Sequence, residues 1–128
     1  MISATFSASA TTILYNDFSS SAGLQINGNA YTTVDDASRD VLRLTSATTG
    51  QSGSAFSIDT VSLASDASFS SAFQFRMSQP GGICDVDGCG ADGLVFVVQT
   101  VANNVGGAGG GIGYQGIGNS VGIEFDTY

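Results

Sequence analysis

Apolar residues in this 128-residue chain recur in short bursts, and nowhere do they hold the i, i+3, i+4, i+7 spacing of an amphipathic helix. Strand-like segments fall at 13–18, 24–27, 41–45, 54–58, 61–63, 68–77, 94–100 and 121–127. Turn formers punctuate them at 19–23, at Asn27-Gly28-Asn29, at 49–53 and at Pro80-Gly81-Gly82. Many brief strands with regular turns predict an all-β protein, an antiparallel sandwich or jelly roll with no substantial helix.

Two segments define the expected layers. In 68–77, Phe69, Ser71, Phe73, Phe75 and Met77 share one face, while Ser70, Ala72, Gln74 and Arg76 share the other. One face is then core and the other wet, as in an antiparallel sheet. Residues Leu94-Val95-Phe96-Val97-Val98 are apolar throughout, which predicts a central strand covered on both faces. Between this strand and the last one, residues 103–116 contain seven glycines in fourteen positions. Glycine lets a backbone come close to a ligand, so this stretch reads as a structured, ligand-facing loop rather than a linker.

Composition narrows the function. Eleven acidic residues stand against three arginines, Arg39, Arg43 and Arg76, for a formal net charge of -8. Contacts to phosphate require Lys and Arg, so nucleic acid is excluded as a partner. No apolar run reaches the ~18 residues of a membrane span, so no membrane insertion is expected. With no His and only Cys84 and Cys89, a Cys/His metal centre is excluded, and a local disulfide is the better reading. Ala8-Ser9-Ala10 has the small-x-small form of a signal-peptidase site, either by coincidence or as the remnant of a signal peptide in residues 1–10. Together with the cysteine pair it leads to the expectation of a secreted, extracellular protein.

Candidate chemistry lies near two strand ends. In residues 120–128, SVGIEFDTY, alternation places Val121, Ile123 and Phe125 on one face and Gly122, Glu124 and Asp126 on the other. Glu124 and Asp126 are then like charges roughly 6.5–7 Å apart along the strand. Such a pair either faces water or holds a hard divalent cation between its oxygens. Asp92, in Gly90-Ala91-Asp92-Gly93 at the mouth of the apolar strand, serves either as a turn residue or as an acceptor for a ligand hydroxyl. Asp85-Val86-Asp87-Gly88 is similar to the start of a calcium loop but lacks the remaining ligand positions, and reads as a polar loop closed by the cysteines.

Taken in order, several short segments resemble the first half of a legume-type lectin domain. They are Tyr15-Asn16-Asp17-Phe18, Leu24-Gln25-Ile26-Asn27-Gly28-Asn29-Ala30, Leu42-Arg43-Leu44-Thr45, Gly53-Ser54-Ala55-Phe56, residues 68–75, Ala91-Asp92-Gly93-Leu94-Val95-Phe96, Gly109-Gly110-Gly111-Ile112-Gly113-Tyr114 and residues 121–128. The small-residue composition and the cysteine loop look more like secreted bacterial relatives than plant seed lectins. The resemblance implies a concanavalin-like β-sandwich, incomplete at the C-terminus, with residues 11–128 forming the N-terminal part of one domain. It also implies non-catalytic carbohydrate binding that depends on calcium and on manganese or another transition metal. Glu124 would bind the transition metal, Asp126 would bridge the two ions, and Tyr128 would offer its carbonyl to calcium. Asp92, after a cis peptide, and the backbone N–H of Gly110 would meet the sugar. The family's further metal ligands and the Asn that completes the sugar site fall past the position of Tyr128.

Two alternatives belong to other functional classes. Glu124-Phe125-Asp126 resembles the catalytic strand of laminarinase-type glycosidases, where Glu124 would be the nucleophile and a second carboxyl would be needed ~5–5.5 Å away. Tyr128 excludes the shorter catalytic pattern, while a longer one would place its Glu at position 129. The other alternative is a structural or adhesive sandwich without a working sugar site.

Overall fold

The computed structural model describes residues 11–64, 66–86 and 88–127. The described residues are mostly β, with no α-helix, and the one helical piece is a 3-10 turn at Gly109–Gly111. None of it is a helix long and apolar enough to cross a membrane. Six strands form three antiparallel pairs. β1 (Leu24–Gly28) pairs with β4 (Gly53–Ser57), and the hairpin of β2 (Tyr31–Val34) and β3 (Asp40–Arg43) is inserted between them in sequence. β5 (Gly93–Gln99) pairs with β6 (Ser120–Asp126) across the glycine-rich connection.

The β2–β3 turn is closed by a carboxylate. Asp35 accepts hydrogen bonds from the backbone N–H groups of Ala37 and Arg39, both at 2.9 Å, and from Arg39 Nε at 3.0 Å and Nη2 at 2.7 Å. Its side chain is only 3% exposed, and these charge-assisted bonds meet its need for partners. The Arg39 side chain foremost, then the Arg39 N–H, holds the Asp35 carboxyl down to about 2 from its ordinary 3.8. Arg76 reaches Asp36 at 2.8 Å, which ties residues 68–77 to this turn.

The β5–β6 register sorts its side chains as alternation predicts. Leu94 opposes Phe125, Phe96 opposes Ile123 and Val98 opposes Val121, which makes one face apolar. The opposite face carries Val95 and Val97 beside Glu124 and Gly122. On the apolar face, Phe73 stacks on Phe96 at 5.0 Å and meets Phe125 edge-on at 6.2 Å, while Phe75 lies 4.4 Å from Phe125.

Three expected strands, 13–18, 61–63 and 68–77, are not strands here, and one strand, Tyr31–Val34, was not expected. Residues 68–77 use the aromatic side of their alternation against β5 and β6, yet no neighbouring strand among the described residues offers them a hydrogen-bond ladder. Alternation sets which side chains turn inward; a ladder also needs a partner edge. The strand β5 is likewise not covered on both faces: Leu94 to Val97 are half-buried and Val98 is exposed. Among the described residues Ile117 is the one buried hydrophobic side chain, at 7% exposure. Phe69, Phe73, Phe75, Val121 and Ile123 stay between 47% and 69% exposed.

Candidate functional site

The chemistry of this chain collects around β5, β6 and the loop joining them. Glu124 and Asp126 stand two residues apart on the face of β6 opposite its aromatic contacts, and both are exposed. The glycine-rich loop folds back toward them through its own backbone. Gly107 N–H donates to Gln115 O at 3.0 Å, Gly113 N–H to Gly107 O at 2.8 Å, and Ile112 N–H to Gly109 O at 2.8 Å. Bonds this regular make the stretch an ordered element. Its first half is anchored elsewhere, because Asn27 of β1 donates to Asn103 O at 2.8 Å and to Ser54 Oγ at 3.1 Å.

The result is an open recess of about 370 Å³, walled by Gly110, Gly111, Tyr114 and Gln115 of the loop and by Glu124 and Asp126 of β6. Three of the candidate residues, Gly110, Glu124 and Asp126, are thus brought together. Tyr114 and Gln115 were not candidates. An aromatic and an amide inside a run of glycines, six and five residues before the carboxylate strand begins, were the available signal. A smaller recess of about 150 Å³ lies where the loop meets Asn27, Ser52 and Ser54.

Asp92 stands at the same end of the strand pair but does not line the larger recess. The Ala91–Asp92 peptide is cis, as the resemblance implied. Asp92 precedes Gly93, which pairs with Asp126 in the ladder. The end of β6 is bonded to this turn, with Thr127 N–H donating to Asp92 O at 3.1 Å and Thr127 Oγ1 to Gly90 O at 2.8 Å. Cys84 and Cys89 form the expected disulfide, which closes a loop just before the turn. Gly88 N–H donates to Asp85 Oδ1 at 3.0 Å within it, and Val86 at its tip is fully exposed.

Glu124 and Asp126 offer hard oxygen donors of the kind calcium and manganese take. Elsewhere in the fold, Arg39 pairs with Asp35 and Arg76 with Asp36. Calcium needs 6–8 oxygens, however, and no cluster of three or more acidic, His or Cys side chains exists among the described residues. The donor type fits the implied ions, while the number of ligands present does not complete a site. Tyr128, expected to add a carbonyl, lies outside the described residues, as do residues 1–10 with their small-x-small motif.

The family model of the legume lectin domain matches residues 10–128, nearly the whole chain. No solved structure matches the chain.

Proposed function

The chain belongs to the legume lectin domain family, and from that premise we propose that it binds carbohydrate reversibly with the aid of calcium and a transition metal such as manganese. The observation that carries this reading is the recess in which the glycine-rich loop faces Glu124 and Asp126, at the strand end where Asp92 turns into β5. In this reading Glu124 and Asp126 hold the ions, with the carbonyl of Tyr128. The ions supply fixed positive charge that orders the surrounding loops for hydroxyl recognition. Asp92 accepts hydrogen bonds from sugar hydroxyls, and Gly110 donates its N–H. The family is generally non-catalytic, and these residues are assigned no reaction.

Residues 11–128 would be the N-terminal part of one concanavalin-like sandwich, whose remaining strands cover the aromatic and aliphatic faces left exposed here. Exposure of Phe69, Phe73, Phe75, Val121 and Ile123 supports this, because so many large apolar side chains left at the surface suit faces built to be covered. The disulfide is consistent with an oxidising, extracellular setting.

Screening the intact protein on a glycan array, with and without chelator, tests the proposal. Binding that disappears in chelator and returns with calcium and manganese is expected. Glycan binding unchanged by chelator would remove the metals from the mechanism, and no binding to any glycan would remove the sugar.

A further inference from the structure

The glycine-rich loop is seated on β6 by one side chain. The ring of Tyr114 lies across Gly122, where a Cβ would stand 2.9 Å from Cζ and 3.1 Å from both Cε atoms. Ser120 Oγ donates its single proton to Ile117 O at 2.7 Å, so at 3.1 Å the Tyr114 hydroxyl must be the donor to Ser120 Oγ. Ile117, the buried hydrophobic residue of this region, donates its own N–H to Tyr114 O at 3.2 Å. Tyr114 N–H in turn donates to Gly111 O at 2.7 Å, which couples the ring to the 3-10 turn.

Ser120, Gly122, Glu124 and Asp126 follow one another along the same face of β6. The tyrosine therefore occupies the position immediately before Glu124 on that face. Only glycine at 122 leaves the ring this room, since any side chain there would claim the same volume.

We propose that Tyr114 is a positioning residue: seated on Gly122 and bonded to Ser120, it fixes where Gly110 and Gly111 stand relative to Glu124 and Asp126. The seat itself needs no ligand; its effect on ligand affinity rests on the carbohydrate reading above. Gly122→Ala pushes the ring off the strand, Tyr114→Ala removes it, and Tyr114→Phe keeps the ring and loses one hydrogen bond.

The test pairs two measurements on the intact protein with calcium and manganese present. Amide hydrogen exchange is followed across residues 106–116 and across the β5–β6 ladder. Affinity is measured for methyl α-mannoside, methyl α-glucoside and methyl β-galactoside. Tyr114→Ala and Gly122→Ala should exchange at least about tenfold faster in the loop while the ladder keeps its protection. Tyr114→Phe should change by less, roughly two- to tenfold, the worth of one hydrogen bond. Affinity for whichever glycoside binds should fall in the same order. Unchanged loop exchange in Tyr114→Ala overturns the proposal, as does equal acceleration across the ladder, which would make the ring a general structural contact. Faster loop exchange with unaltered affinity also overturns it. If the unmodified protein binds none of the three glycosides, the carbohydrate reading loses its support, and the exchange data alone decide whether the seat exists.

Discussion

Replacing Gly93 with Ala should open the end of the strand pair where Gly93 pairs with Asp126 and Thr127 bonds to Asp92. Gly93 has φ +147, a conformation that residues with a side chain seldom adopt. An added Cβ would also lie 2.6 Å from Phe125 O and 3.1 Å from Asp126 Cα, both backbone atoms of the partner strand. A flexible side chain could move aside; a ladder carbonyl cannot move without breaking its pairing. The sparsely populated conformation costs about 1–3 kcal/mol. Forcing a methyl against backbone costs about 1–3 kcal/mol more. One backbone shift relieves both, so the net is about 2–4 kcal/mol rather than their full sum. At 1.4 kcal/mol per factor of ten, exchange of the β5 and β6 amides should accelerate roughly 30- to 700-fold. Exchange followed by mass spectrometry on peptides covering the two strands reads this directly. Gly110→Ala is the control, because Gly110 has nothing within 4 Å of its would-be Cβ. It should change stability by no more than about 0.5 kcal/mol. Native protection in Gly93→Ala would refute the close approach that joins the Asp92 turn to β6.

The Asp35 turn makes an acid-sensitive contribution. Its carboxyl is held down to about 2 in the folded chain from an ordinary 3.8, so between these values the unfolded chain binds more protons. The stabilisation is complete above 3.8 and is lost as pH falls through about 2. Asp35→Asn should lower the urea midpoint at neutral pH and flatten its fall below pH 4; an unchanged acid slope would contradict the role given to Arg39. Some slope should remain, since the hydroxyl and N–H of Ser19 also lower Asp17. Replacing Cys84 and Cys89 with Ser should cost at most about 2 kcal/mol, because the bridge closes so short a loop. The main change should be faster proteolysis at the exposed Val86 tip, and cleavage rates like the parent's would show that the loop holds itself.

How much of this was legible in the sequence depends on whether a feature is local. The two faces of β6 follow from alternation within seven residues, and the register confirms that Glu124 faces away from Phe125 and Ile123. The disulfide follows from two cysteines in an otherwise cysteine-free chain. Residues 68–77 show the limit: their aromatic face was legible, but the ladder was not, because hydrogen bonds depend on another segment's edge. The hairpin strand Tyr31–Val34 was missed for the opposite reason. Its two threonines carry β-propensity without apolar alternation, and the Asp35–Arg39 closure that defines the turn is visible only once the chain is folded. The meeting of Gly110 with Glu124 and Asp126 was expected only by resemblance. In the fold the Tyr114 ring lies against Gly122 beside these residues, and no periodic pattern encodes that contact.

Asp92 provides the most direct test of carbohydrate binding. Asp92→Ala in the intact protein removes the carboxylate while leaving Glu124 and Asp126 in place. Its glycan binding and its calcium affinity should be measured side by side with the parent protein. The expected result is loss of glycan binding with calcium affinity retained. Glycan binding as strong as the parent's would contradict the site.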